Sequence, residues 1–165
     1  GRDTHRIHGF YYRMTEIQAV IAKVQLGKLD YIVKKNRENY SIIESALLEI
    51  KGLKFRKVPS QCKPLCDTLI IQFDSKDMAN EFVVGMQNEG LGTKNVPDAI
   101  EWHFAKYWDH MLDSIEMNKA ELKKSLSASS EIIERCVALP IMLKTSKKEI
   151  KEYIKILHKI IKPII

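Results

Sequence analysis

Two stretches carry residue types that could do chemistry. The first lies near the start, where Tyr11, Tyr12 and Arg13 follow Gly9-Phe10 on a segment that also holds Arg2, His5, Arg6 and His8. Nothing in its pattern is helical. Polar donors crowded on a non-helical segment point to a site more often than the same residues on a helix. The second is 91–110, LGTKNVPDAIEWHFAKYWDH. His103 and His110 carry the one side chain that titrates unaided near neutral pH. Trp102, His103, Trp108 and His110 cannot all face one side of a helix, and a loop presenting aromatic and imidazole groups together lines a ligand pocket well. The competing reading is an amphipathic helix whose aromatics are core and whose histidines are packed bystanders. The residues alone leave both open.

Other chemistries lack their signatures. There is no Gly-rich phosphate loop, no GxSxG, no HExxH and no Ser or Cys with an evident base. The cysteines, Cys62, Cys66 and Cys136, form no CxxC pair and have no histidine at zinc spacing, which predicts reduced thiols and no metal site. The net charge is +6 and the pI about 9.1. Yet lysines alternate with carboxylates, as in KKNRE and SKKEIKE, and arginine occurs only at Arg2, Arg6, Arg13, Arg37, Arg56 and Arg135. That is a solvated surface rather than a nucleic-acid patch, which favours arginine forks. No apolar run approaches the roughly 20 residues of a membrane span, and GRDTHRIHG has no signal-peptide core. With reduced thiols, the expectation is a cytoplasmic protein free of membrane and nucleic acid. The first residue is not Met, which suggests a chain that begins inside a longer reading frame or was processed.

The elements that must position these stretches follow from caps and periods. Thr15 is an N-cap with Gln18 at the capping-box position, ahead of Ile17, Val20, Ile21, Val24 and Leu26. The helical stripe resumes at Leu29, Ile32, Val33, Tyr40, Ile43, Ala46, Leu47 and Ile50, and runs to about Lys51. Unbroken, that helix would be about 55 Å long, so it breaks at Gly27 or crosses between two bodies. Short strands are predicted at 54–58 (KFRKV), 68–73 (TLIIQF) and 136–141 (CVALPI). Ser75 caps a helix to about Glu89, closed by Gly90. A further helix is expected over 112–125, then a turn or new cap at SASSE. Ser146 and Glu149 form a second capping box ahead of a helix with Ile150, Ile154, Leu157 and Ile161 as its stripe. The result is an α+β layer on a chain of 165 residues with 45% hydrophobic content, enough for one core.

GFYYRMTEIQAVIAKVQLGKLD resembles the segment G-[FY]-N-Y-R-M-[ST]-E-[IL]-Q-A-A…Q-L-x-K-L-D of the DegT/DnrJ/StrS family, the PLP-dependent sugar aminotransferases. The match holds at Gly9, Phe10, Tyr12, Arg13, Met14, Thr15, Glu16, Gln18, Ala19, Gln25, Leu26, Leu29 and Asp30. EIIERCVALPIMLKTSKKEIKEYIKIL is similar to the family's closing Leu-Pro strand and final helix, so the resemblance covers nearly the whole chain. The loop GLGTKNVPDAIEWHFAKYWDHM is similar to its counterpart in aminotransferases that make 8-amino-3,8-dideoxy-D-manno-octulosonate, a lipopolysaccharide sugar.

The resemblance implies the C-terminal small domain of a fold-type I aminotransferase: a long N-terminal helix and a small sheet packed by helices. Residues 1–14 would be a segment close to the active site and 15–165 the small domain. It further implies a homodimer, pyridoxal 5'-phosphate (PLP) as cofactor, and glutamate and a keto-sugar as substrates. Tyr11 and Arg13 would contact the cofactor; Tyr12, Lys94, Asn95, His103 and His110 would face the sugar. Tyr11 stands where the family has Asn, and the Schiff-base lysine belongs to the large domain, upstream of residue 1. The 165 residues alone are therefore expected to be inactive. A non-catalytic binding or dimerisation module of the same fold, or a PLP/PMP-dependent sugar dehydratase, are the alternative readings.

Overall fold

The computed structural model describes residues 14–95, 104–112 and 118–165, without the side chains of Lys94, Asn95, His110 and Leu112. Helix α1 spans Glu16–Leu26 and α2 Leu29–Leu47. The long helix thus breaks at Gly27, one of the two outcomes the length argument allowed, and α2 ends short of Lys51. After α2 the chain passes through Gly52, whose φ of +94° suits glycine, into β1, Lys54–Phe55. Strand β2 is Thr68–Gln72. Helix α3, Lys76–Asn88, is capped by the Ser75 hydroxyl, which accepts from Met78 N–H. Strand β3 is Lys94–Asn95. A 3-10 turn at Ala105–Tyr107 leads to α4, Asp109–Leu112. Helices α5, Lys119–Ser125, and α6, Ser127–Ile133, precede β4, Cys136–Pro140. Helix α7, Lys147–Ile161, closes the fold.

The four strands form one antiparallel sheet in the order β1-β2-β4-β3. Strand β4 enters between β2 and β3, with Leu69 opposite Leu139 and Ile71 opposite Val137. These four side chains are buried and share one face, as the two-residue period of a strand requires. Against that face lie α2 through Ile43 and Leu47, α3 through Ala79, Phe82, Val83 and Met86, and α7 through Ile150, Leu157, Ile160 and Ile161. Phe73 and Phe82 lie tilted, with centroids 5.3 Å apart, a favoured aromatic arrangement. His158 Nε2 lies 3.1 Å from the Ala46 carbonyl, tying α7 to the end of α2.

Several expectations change at the edges. The 54–58 strand contracts to two residues, Lys54 and Phe55; Arg56 N–H still donates to Ile70 O of β2, at 3.3 Å. The loop that follows is pinned by Arg37, which donates to the Pro64 and Lys63 carbonyls at 3.0 and 3.2 Å. SASSE is not a turn: it is the body of α6, whose Ser130 is buried. Of the expected 112–125 helix, Leu112 ends α4 and Lys119–Ser125 form α5, capped where the Asn118 side chain accepts from Glu121 N–H.

Candidate functional site

The first predicted cluster falls outside the described residues at Tyr11, Tyr12 and Arg13. What is described is the helix that follows them. Thr15 and Gln18 make both bonds of the capping box: Thr15 N–H donates to Gln18 Oε1 at 2.9 Å and Gln18 N–H to Thr15 Oγ1 at 3.3 Å. The orientation in which the chain enters α1 is thereby set. Helix α1 buries nothing. Ile17, Val20, Ile21 and Val24 lie 74, 64, 56 and 55% exposed, one apolar stripe turned to solvent. Scattered exposed apolar residues are normal, but a contiguous stripe marks a contact surface.

The second cluster is partly visible. Lys94 and Asn95 form β3, paired with Ala138 and Val137 of β4, so their backbone is fixed by the sheet. His103 lies outside the described residues, and His110 has only its backbone described, within α4. The described part of the aromatic stretch is a 3-10 turn and a four-residue helix rather than one amphipathic helix. Phe104 and Tyr107 have centroids 6.4 Å apart, and Lys106 Nζ lies 5.6 Å from the Tyr107 ring centre. Lys106 also donates to the buried Ser130 Oγ at 2.7 Å, and Lys123 pairs with Asp109 at 2.9 Å. The described part of the stretch is thereby tied to α6 by Lys106 and to α5 by Asp109.

A cleft that the sequence reading did not single out lies beside the start of β3. It has a volume of about 510 Å³ and is bounded by Asn39 and Ile43 of α2, the Gly90–Gly92 turn, Met142 and Lys144 after β4, and Ile150 and Tyr153 of α7. Asn39 is 1% exposed. Its Nδ2 donates to the Met142 carbonyl at 2.9 Å, while its Oδ1 has no partner among the described residues. The Tyr153 hydroxyl is likewise buried and unpartnered, and burial pushes that phenol up to about 12. An unsatisfied buried polar atom costs about 1–3 kcal/mol. The sequence signal was available: Asn36 and Asn39 occupy the inward face of α2, where apolar residues were due.

Among the described residues no group of His, Cys, Asp and Glu could hold a metal ion, and no helix is long and apolar enough to cross a membrane. The cysteines are free thiols, and burial raises Cys66 and Cys136 above the ordinary thiol value. No lysine with a described side chain is buried, so none is placed as the desolvated amine that carries an aldehyde cofactor.

The chain matches the DegT/DnrJ/EryC1/StrS aminotransferase family over residues 1–158 and belongs to it. Solved structures share its mixed fold of helices on a small antiparallel sheet. The aminotransferase TlmJ from Streptoalloteichus hindustanus is 17% identical, with a TM-score of 0.69 over 90% of this chain and 37% of its own. The sugar aminotransferase CalS13 from Micromonospora echinospora is 15% identical, with a TM-score of 0.68 over 92% of this chain and 37% of its own. Spr1654 from Streptococcus pneumoniae in its PLP-form is 13% identical, with a TM-score of 0.69 over 93% and 37%; its PMP-form matches comparably. The chain thus spans little more than a third of the length of the structures it resembles.

Proposed function

We propose that this chain is the C-terminal small domain of a PLP-dependent aminotransferase that moves an amino group, from glutamate, onto a keto-sugar. The observation that supports this best is the bare stripe of α1 on an otherwise packed body, in a chain whose family and fold belong to enzymes nearly three times as long. A closed, self-sufficient domain would have covered Ile17, Val20, Ile21 and Val24; a part awaiting the rest would leave them open. Residues 1–14 are then the segment that reaches the active site, and 15–165 the small domain.

In this reading Tyr11 and Arg13 contact the cofactor across a homodimer interface, and Tyr12, Lys94, Asn95, His103 and His110 face the sugar. Arg13 offers a planar fork of donors suited to phosphate. Tyr11 offers one O–H where an amide would offer two N–H donors. PLP supplies the electron sink, and the lysine that carries it comes from the large domain. The chain's own visible contribution is positional. The capping box sets the first turn of α1, β3 fixes the backbone of Lys94 and Asn95, and the Lys106–Ser130 bond ties down the described part of the aromatic stretch. An acidic keto-sugar such as 8-oxo-3-deoxy-manno-octulosonate, in lipopolysaccharide sugar synthesis, suits Lys94 in this site. The protein is taken to work in the cytoplasm.

The test uses the full-length protein with PLP and glutamate. Release of 2-oxoglutarate dependent on an 8-oxo or 4-keto sugar is expected, with Arg13→Ala weakening PLP retention. Loss of water from the sugar without amino transfer would replace this reading with the dehydratase. Failure to retain PLP at all would replace it with the non-catalytic module.

A further inference from the structure

The 3-10 turn at Ala105–Tyr107 buries none of its side chains, so apolar packing is not what holds it. A chain of polar contacts does. Lys106 Nζ donates to Ser130 Oγ at 2.7 Å, and the Ser130 hydroxyl donates on, at a longer 3.5 Å, to Glu134 Oε1. The other Glu134 oxygen faces Lys76 Nζ, at the start of α3, across 3.9 Å. The chain has one polarity. An ammonium only donates and an ionised carboxylate only accepts, so the hydroxyl between them accepts from Lys106 and donates to Glu134. Ser130 is 2% exposed, which keeps water from competing for its oxygen. A charge-assisted bond is stronger than a neutral one, and this one joins the turn to α6 and, through Glu134, to a core helix.

We propose that Lys106 is a positioning residue for sugar binding: acting through Ser130 and Glu134, it fixes the turn from which His103 and His110 reach the sugar. The inference rests on the reading above that these two histidines face the sugar. They stand three residues before and four after Lys106 in the chain. Three or four residues span at most about 11–14 Å, so a turn fixed at Lys106 limits the reach of both. Asp109, next to His110, is tied to Lys123 of α5 at 2.9 Å, which steadies the same stretch from its other side. The Lys106 ammonium is aimed at a buried hydroxyl, so it acts on the sugar through the turn and not by contact. PLP is held elsewhere in this reading, so the loss of Lys106 falls on the sugar and spares the cofactor.

The test is steady-state kinetics of the full-length protein with PLP, glutamate and 8-oxo-3-deoxy-manno-octulosonate. Lys106→Met keeps the length of the side chain and removes the ammonium. It should raise the KM for the sugar about tenfold, less than the roughly hundredfold loss that a misplacement of about 1 Å can bring. PLP retention and the KM for glutamate should stay as in wild type. Lys106→Arg keeps a charged donor and should restore most of the loss. Ser130→Ala breaks the same chain from its other end, so it should raise the sugar KM as Lys106→Met does, and the double variant should be no worse than either single one. Lys155→Met removes an α7 lysine paired with Glu152 of its own helix; it controls for the lost positive charge and should leave the KM alone. A KM raised by Lys106→Met but not by Ser130→Ala makes Lys106 a direct sugar contact and overturns the proposal. A KM raised by His103→Ala and His110→Ala but not by Lys106→Met overturns the positioning role while the reading of the sugar site stands. If neither histidine variant changes the KM, or wild type turns over neither this nor a 4-keto sugar, that reading fails and takes this inference with it.

Discussion

If the stripe on α1 is a buried contact in the whole protein, charging it should be costly there and harmless to α1 itself. The informative perturbation is the double change Val20→Glu and Val24→Lys. These positions lie one turn apart, and an acid placed four residues before a base stabilises a helix by about 0.3–0.5 kcal/mol. Both new residues are also good helix formers. Local helix propensity therefore cannot explain a loss. Burying a valine fully is worth about 1.5–2 kcal/mol. With Val20 and Val24 at 64 and 55% exposed, covering what remains contributes about 1 kcal/mol each. Burying two charges in an apolar contact adds a few kcal/mol more, so the whole protein should lose on the order of 5 kcal/mol. The control is Ala19→Glu, about half a helical turn from the stripe and four residues before Lys23, which should stay within about 0.5 kcal/mol of wild type. Urea unfolding of the full-length protein, with size-exclusion chromatography for assembly, reads both. A double variant no less stable than the control, and assembled as before, would refute the claim that this stripe is covered.

Three further expectations rest on single features. Ser146→Ala removes half of the second capping box and should cost about 1 kcal/mol, seen as faster amide exchange in the first turn of α7. Hydrogen bonds from Ser146 hold the Glu149 carboxyl below its usual value, so this support is present above the ordinary carboxylate pKa and is lost as pH falls through the lowered one. Gly85→Ala should gain about 1 kcal/mol in helix propensity but place a Cβ 2.6 Å from Ile160 Cγ2. Overpacking of about 1–3 kcal/mol makes it net destabilising, and a double-mutant cycle with Ile160→Ala should reverse the sign. Tyr153 is raised by burial to about 12 from 10.0, so the fold keeps its full stability below the unfolded value and loses some as pH rises from there through 12, where the unfolded chain ionises the phenol more readily. The loss amounts to about 3 kcal/mol. Tyr40 is also raised to about 12, first by burial and then by Glu44, so the measure is the difference in alkaline unfolding between wild type and Tyr153→Phe.

What could be read beforehand was local. Thr15, Ser75 and Ser146 announced their helices because a cap is a contact between residues three apart. TLIIQF and CVALP announced strands because short β-branched or apolar runs between turns have few other uses. The features that went unread depend on partners distant in sequence. Strand β3 is two residues long and is a strand only because β4 offers Ala138 and Val137 to pair with. Helix α6 is poor in helix formers and is held by tertiary contacts, with Lys106 reaching Ser130 from 24 residues away. The roles proposed for Tyr12, Arg13 and His103 rest on the family resemblance, because no periodic pattern assigns them.

The cleft shows where the sequence said more than was taken from it. The apolar stripe of α2 was read from Val33 directly to Tyr40, a gap of two helical turns. Read at strict helical spacing, the inward positions within the gap are Asn36 and Asn39, and the structure buries both, each with an Oδ1 lacking a partner among the described residues. Surface helices put amides on the wet side, since an amide facing inward must find partners or pay for their absence. Two amides inside an apolar stripe, on a helix that otherwise obeys its period through Ile43 and Leu47, therefore mark a place where the core was not built to be dry. Asn39 has resolved half of its demand through Met142. The unmet half, like the Asn36 Oδ1 and the Tyr153 hydroxyl, is buried without a partner among the described residues, a cost of about 1–3 kcal/mol each that the surrounding apolar packing must offset.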